Sequence, residues 1–329
     1  MAASLRSRRP WLAVLLVVVL CLVATPAEAS LGDRLPEFRE CVNVCERDNC
    51  NSKTNPSKIP LHRRLLLWTC PQECDYACQH IITAHRVGRN EPITQFHGKW
   101  PFNRMLGMQE PFSVLFSLGN LAAHQQGLAK IRRHVPKTYP LRPFYVLFAW
   151  FGTASWVFSA IFHTRDFVST EQLDYFAAGA SVLYGLYYAL VRVARLDQSP
   201  RLLGLWTLLC AALYAAHVSY LKFWRWDYTY NMAANVAVGL VHNLLWYGFC
   251  VAKWRETHAW WSVWPGLIVS WIMLVMGLEL LDFPPLAGAF DAHSLWHLGT
   301  IPPCIMWYNF MIRDTEDDIA KSKVAKPKA

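Results

Sequence analysis

Three histidines and two smaller polar residues have the types and spacing of a hydrolytic metal centre. His293 and His297 are four residues apart, so on a helix both imidazoles lie on one face and can bind the same ion. His163 can supply a third nitrogen from another helix. Three histidine ligands leave the fourth position of a zinc ion open to water, which is typical of catalytic zinc. The sequence therefore predicts a Zn2+ site at His163, His293 and His297.

Ser159 and Asp174 are the candidate catalytic residues beside this metal. Ser159 precedes His163 by four residues and shares its helix face. Its hydroxyl can hydrogen-bond a water or a developing oxyanion, and the Asp174 carboxylate can orient that water or accept its proton. Taken singly, each residue has a simpler interpretation, such as helix packing for the serine or a favourable helix start for the aspartate. Only the complete set favours a metal centre.

The elements that must position these residues are membrane-spanning helices. Hydrophobic residues make up 54% of the 329 residues and charged residues only 17%, whereas a soluble domain carries about 25% charge. Seven apolar blocks of about 20 residues can each cross roughly 30 Å of hydrocarbon. The first block is the weakest, because polar residues interrupt it at 120 and 124–126. The blocks lie near 111–129, 141–162, 173–194, 202–222, 231–252, 259–280 and 291–312.

The amino terminus predicts entry into the secretory pathway. Three arginines between residues 6 and 9 precede a short apolar run, which ends before an Ala-x-Ala sequence at 27–29. A basic segment, a short apolar segment and small residues at the cleavage point define a signal peptide. Residues 1–29 are therefore predicted to be cleaved, with an uncleaved membrane anchor as the alternative. The mature chain then begins in the lumen at Ser30.

Six clustered cysteines behind this signal predict a small disulfide-rich luminal domain. Six cysteines in an oxidising compartment allow three disulfides in any of fifteen pairings. The four-residue spacing at 41/45 and 74/78 favours two short helices linked face to face. A zinc cluster is the alternative, but Cys-x3-Cys is not the usual spacing of a zinc knuckle. The six are Cys41, Cys45, Cys50, Cys70, Cys74 and Cys78.

The distribution of charge orients the predicted spans. Lysines and arginines flank the loops after the first, third and fifth spans, while the other loops are mostly acidic, with Lys222 and Arg225 as the exception. The positive-inside rule then places the five candidate site residues at the luminal end. The net charge of +9 therefore indicates membrane topology, and no motif indicates nucleic-acid binding. The predicted fold is an all-α membrane protein, with a luminal Cys-rich domain (30–108), a seven-transmembrane helix bundle (109–312) and a cytosolic basic tail (313–329).

The site motif resembles the signature of the CREST superfamily of seven-span hydrolases. The shared pattern is Ser-x3-His, a following aspartate and His-x3-His in the last span. The six-cysteine domain and four local strings are similar, more specifically, to the PER1-like proteins, the post-GPI-attachment-to-proteins factor three family. The strings are QFHGKWPF at 95–102, FHTRD at 162–166, HVSYL at 217–221 and LDFPP at 281–285.

This resemblance implies a GPI-specific phospholipase A2-type activity that removes the unsaturated sn-2 acyl chain during GPI-anchor maturation. It implies that His163, His293 and His297 bind zinc and that Ser159 and Asp174 assist hydrolysis. The expected partners are GPI-anchored proteins and their GPI lipid, in the Golgi membrane or the endoplasmic reticulum membrane. A zinc-containing seven-span receptor, a ceramidase-like lipid hydrolase of the same superfamily and a transporter are the alternatives.

Overall fold

The computed structural model of the protein describes residues 30–50 and 59–324. The predicted signal peptide, residues 1–29, lies outside the described residues. Across the described residues the fold is all-α, which confirms the predicted class. A small helical domain, here called the head (the described residues from 30 to 110), precedes seven long helices.

The head contains four helices, and two of them are joined by three disulfides. The bonds Cys41–Cys78 and Cys45–Cys74 link α2 to α4, and Cys50–Cys70 links the residue after α2 to the first residue of α4. Because the partner numbers fall along α4 as they rise along α2, the two helices run antiparallel. The predicted pair of helices linked face to face is confirmed, and no sulfur among the six is left as a thiolate for a zinc cluster. The helices are α1 Leu31–Arg34, α2 Pro36–Asn49, α3 Leu61–Leu65 and α4 Cys70–Gly88.

The apolar core of the head is small. Phe38, Ile82 and Phe96 are buried together with the Cys78 sulfur, and the rings of Phe38 and Phe96 lie 4.7 Å apart. A domain of this size buries too little apolar surface to be stable by packing alone. Each native disulfide in such a domain is typically worth about 2–5 kcal/mol. The disulfides therefore account for much of the stability of the head.

Seven long helices follow within the described chain, each at the position of a predicted apolar block. Five of them, α6 to α10, are long and apolar enough to cross a membrane, so the protein is a multi-pass membrane protein. A π-helical turn, Tyr220–Trp224, extends α8. The helices are α5 Pro111–His134, α6 Arg142–Thr164, α7 Val168–Val193, α8 Pro200–Ser219, α9 Tyr228–Thr257, α10 Trp264–Leu281 and α11 Ala292–Val324.

The two more polar helices, α5 and α11, pack against each other inside the bundle. The Asn120 amide donates a hydrogen bond of 2.7 Å to the backbone oxygen of His297, and His124 Nδ1 lies 2.8 Å from the Tyr308 hydroxyl. A Cβ atom at Gly127 would lie 2.1 Å from the Tyr308 ring, so only glycine permits this approach. Two of the polar residues that weaken the first predicted span, Asn120 and His124, are therefore internal contacts, which removes their cost in lipid, whereas Gln125 and Gln126 are exposed.

The aromatic core lies at the end of the bundle opposite the head. Tyr145, in the first turn of α6, is fully buried with its ring 5.5 Å from that of Tyr188, in a cluster that also includes Trp246 and Tyr308. The head contacts the other end of α6, where the Gln109 amide donates to the Thr164 oxygen at 3.1 Å. The half of the bundle nearest the head therefore lies outside the aromatic core and can contain polar side chains.

The last helix does not end at 312, where the predicted tail begins, but continues to Val324. The Asp314 carboxylate is buried and accepts two hydrogen bonds from Arg192 at 2.5 and 2.6 Å. Lys253 pairs with Asp317 at 2.8 Å. Acidic residues on α11 thus neutralise basic residues at the ends of α7 and α9, and these pairs hold the extension against the bundle.

Candidate metal centre

Three imidazoles from two helices converge beneath the head. His163 lies in the last turn of α6, and His293 and His297 lie in the first two turns of α11. The Nε2 atoms of His163 and His293 are 3.3 Å apart. One ring nitrogen from each of the three histidines lies within 4.8 Å of the other two, so the group can hold a metal ion. His163 and His297 are buried, and His293 is partly buried.

A reciprocal cap between Asp291 and Ser294 fixes where α11 begins, and this sets the positions of its two histidines. The Ser294 amide donates to the Asp291 carboxylate at 2.8 Å, and the Asp291 amide donates to the Ser294 hydroxyl at 3.1 Å. This capping satisfies free amides of the first turn and starts the helix at Ala292. His293 and His297 therefore lie one turn apart on one face.

Two carboxylates that the sequence analysis did not single out orient two of the imidazoles. The Nδ1 atom of His163 lies 2.7 Å from Glu110 Oε2, and the Nδ1 atom of His293 lies 2.7 Å from Glu279 Oε2. Ionised carboxylates only accept hydrogen bonds, so each Nδ1 carries the hydrogen. In neutral rings both Nε2 atoms then carry a lone pair and no hydrogen. These two atoms face each other at 3.3 Å. Such a pair repels unless a proton or a metal ion lies between the two nitrogens, and the carboxylate-oriented imidazoles are the donor set that suits a metal ion.

The third imidazole, that of His297, also has Nε2 as its free nitrogen, but its Nδ1 faces a backbone oxygen instead of a carboxylate. The Nδ1 atom of His297 lies 3.3 Å from the Ser113 backbone oxygen and 3.1 Å from Ser117 Oγ. A backbone oxygen only accepts, so Nδ1 donates and Nε2 is again the free nitrogen. The Ser117 hydroxyl also lies 3.0 Å from the hydroxyl of Ser159, which is buried. Ser159 is therefore linked to the histidine group through Ser117, a residue that the sequence analysis missed.

Asp174 lies at the same end of the bundle, in the second turn of α7. Its carboxylate is partly buried and interacts electrostatically with His163 and His293. Among the described residues it has no hydrogen-bond partner, so its oxygens are available to a ligand. The five residues named from the sequence thus lie together: three histidines around one point, Ser159 beside them and Asp174 within electrostatic range.

The head contributes directly to the geometry of the site. Lys99 Nζ donates to Glu110 Oε1 at 2.6 Å and pairs with Asp166 at 2.9 Å. Burial alone would raise the pKa of the Glu110 carboxyl, but the charge of Lys99 and the hydrogen bonds from Lys99 and His163 hold it well below its ordinary value. Glu110 therefore stays ionised, and two consecutive hydrogen bonds connect Lys99 through Glu110 to His163.

Comparison with known proteins identifies the family. A model of the Per1-like family matches residues 60–315, a range that includes all five candidate site residues. The chain belongs to the Per1-like family. This confirms the resemblance seen in the local strings and the six-cysteine head. No solved structure matches the chain.

Several relatives of this Per1-like protein are similar over almost their whole length. A protein named PER1 homolog from Schizosaccharomyces pombe is 43% identical over 297 residues, 89% of each chain. A Bos taurus protein named GPI-specific phospholipase A2-like PGAP3 is 39% identical over 321 residues, 95% of this chain and 97% of its own. The Homo sapiens protein of the same name is 38% identical over 308 residues, 92% of this chain and 93% of its own.

Proposed function

We propose that this protein is a metal-dependent ester hydrolase that removes the unsaturated sn-2 acyl chain from GPI anchors. The observation that carries the proposal is the group of three histidines, in which one ring nitrogen of each lies within 4.8 Å of the other two and each Nδ1 is oriented toward an acceptor. The hydrogen bonds to Glu110, Glu279 and Ser113 fix that orientation. The substrate class is supported by the names of the Bos taurus and Homo sapiens relatives, which describe a GPI-specific phospholipase A2-like protein.

The histidines, Asp174 and Ser159 have separate roles in the proposed ester hydrolysis. A zinc ion bound to His163, His293 and His297 would supply a Lewis acid for the ester carbonyl and lower the pKa of water. Asp174, which has no hydrogen-bond partner among the described residues, orients the attacking water and accepts its proton. Ser159 donates its hydroxyl hydrogen to the developing oxyanion.

Ser159 is not the covalent nucleophile in this mechanism. Its hydroxyl contacts the Ser117 hydroxyl at 3.0 Å. A serine nucleophile needs an adjacent base to accept its proton. The histidines of the site would be occupied as ligands when the metal is bound, and each Nδ1 already donates a hydrogen bond. Activated water is therefore the nucleophile.

The proposed reaction takes place on the luminal side of a secretory membrane. Disulfides persist in oxidising compartments, and three of them lie in the head. The head contacts the same end of the bundle as the histidines, since Glu110 reaches His163 and Lys99 pairs with Asp166. We include α5 and α11 among the membrane spans, because they pack along the apolar helices and because buried polar side chains such as Asn120 and His124 have partners inside the bundle. The GPI lipid then enters from the luminal leaflet of the Golgi or endoplasmic reticulum membrane.

The direct test is lipid analysis of GPI anchors from cells that lack the protein. We expect anchors that keep the unsaturated sn-2 chain, and recovery of the saturated form when the wild-type chain is returned. Anchors with the same acyl composition in the presence and absence of the protein would contradict the proposed reaction. The receptor alternative predicts that unchanged composition.

Glu110→Gln is expected to weaken zinc binding about 10- to 100-fold, the usual effect of losing a carboxylate that orients a histidine ligand. The amide keeps the shape of the side chain but loses the charge that holds the Nδ1 hydrogen of His163. The zinc dissociation constant of the purified protein, measured by competition with a chelator, gives the result. Glu256→Gln, at the opposite end of the bundle beside Lys321, is the control. Equal zinc affinity in both variants would rule out a positioning role for Glu110.

A further inference from the structure

The head exposes a compact set of large apolar side chains. We call this set the leucine patch: Leu61, Leu65, Leu67, Met105 and Leu106. Their exposed fractions run from 53% for Met105 to 76% for Leu106. The two segments that carry these side chains adjoin, because a Cβ atom at Gly107 would lie 3.0 Å from the Leu66 side chain. Contiguous exposed apolar surface of this kind marks a binding surface, in contrast to scattered single residues.

The backbone holds these side chains outward. Leu67 and Leu106 have φ values of 60° and 52°, in the left-handed region that residues with a side chain rarely adopt. Both belong to segments fixed by Trp68, whose buried indole donates to the Gly107 oxygen at 2.8 Å. The guanidinium of Arg104 lies 3.3 Å from the centre of that ring. The exposure of the patch is therefore built into the fold of the head.

The patch lies beside the end of α6. Arg165, which follows the last residue of that helix, donates to the Leu66 oxygen at 3.2 Å, and its guanidinium lies 3.7 Å from the Trp68 ring centre. Ile161, one turn earlier on α6, is exposed, and so is Val168 at the start of α7. The patch thus continues the outer surface of helices that cross the membrane.

Basic side chains flank the patch. Arg64 and His62 are exposed between its leucines. Arg63 instead pairs with Glu73 at 2.5 Å, which fixes the segment to α4. Apolar side chains next to basic ones are the composition of surfaces that lie in the lipid interface, where the cations meet phosphate groups.

We propose that the leucine patch inserts into the luminal leaflet of the membrane that the bundle spans. The occupant is lipid, because the patch is continuous with the outer surface of α6 and α7 and the exposed Arg64 guanidinium beside it complements phosphate. The head is then held by lipid on one side and by the Lys99 contact on the other. This inference does not depend on hydrolase activity.

Photocrosslinking of the full chain in phosphatidylcholine–phosphatidylserine nanodiscs tests the proposal. A photoreactive benzoylphenylalanine replaces Leu65 or, separately, Leu106, both exposed positions that tolerate a larger ring. The control position is Asn43, which is exposed on the face of α2 opposite Cys41 and Cys45 and therefore away from α4. We expect lipid adducts at both patch positions at about tenfold the level at the control.

Two outcomes would overturn the proposal. Lipid adducts at the patch positions no more frequent than at Asn43 would show that the patch lies in water. Crosslinks from the patch to a second protein chain, in place of lipid, would show that its occupant is another protein. Because residues 65 and 106 lie on separate segments, agreement between them excludes a local effect of one replacement.

Discussion

His163→Ala is expected to lower the release of fatty acid from a GPI lipid by more than about 100-fold, since even the partners of zinc ligands are worth about 10- to 100-fold. The substitution removes one of three nitrogens within 4.8 Å of one another. It also leaves the Glu110 carboxylate without its imidazole partner. The measurement is kcat/KM of the purified protein with a GPI lipid bearing a labelled sn-2 chain.

His217→Ala is the matched control for this substitution. His217 also lies in an apolar helix, α8, but its ring contacts Tyr230 and it lies outside the histidine group. We expect its kcat/KM to stay close to that of the wild type. Comparable activity in the His163→Ala and His217→Ala proteins would refute a catalytic role for the histidine group.

Asp314→Asn is expected to destabilise the protein by about 3–5 kcal/mol, because it leaves Arg192 charged and without a counter-ion in a buried site. Both side chains of this bidentate pair are buried. Thermal unfolding in detergent micelles reports the loss as a fall in the midpoint temperature. The double variant Arg192→Met with Asp314→Leu should recover most of that fall, since it removes both charges.

An exposed ion pair on the same helix supplies the control. Arg313 pairs with Glu316 at 2.7 Å, and both side chains are more than half exposed. Glu316→Gln is expected to cost no more than about 1 kcal/mol. If Asp314→Asn shifted the unfolding midpoint as little as Glu316→Gln, the buried pair would not hold the extension of α11.

The features that could be predicted from the sequence depend on local patterns. An apolar block can be recognised from its own length and composition, because a helix that crosses the hydrocarbon needs a fixed number of apolar residues. The positions of all seven helices can therefore be predicted from the sequence without knowledge of contacts between them. The spacings of His293 with His297 and of Cys41 with Cys45 each place two side chains on one helical face. The placement of the five candidate site residues at one end of the bundle also follows, because charge counting orients each helix.

The features that could not be predicted depend on contacts between distant segments. Glu110 is 53 residues from His163, and no spacing rule joins a residue before one helix to the end of the next. In the sequence, Glu279 is one of several acidic residues near a loop, although an acidic residue at the end of an apolar block is itself a signal. The extension of α11 past 312 depends on Arg192, 122 residues from Asp314. The disulfide pairing likewise requires the packing of α2 on α4.

The zinc content of the purified protein tests the central claim most directly. Mass spectrometry of metals should find one zinc ion per chain in the wild type and in the His217→Ala control. The His293→Ala protein, which keeps only two of the three ligands, should lose nearly all of it. Wild-type protein without bound metal, or with the same zinc content after His293→Ala, would contradict the claim that these three histidines hold one ion.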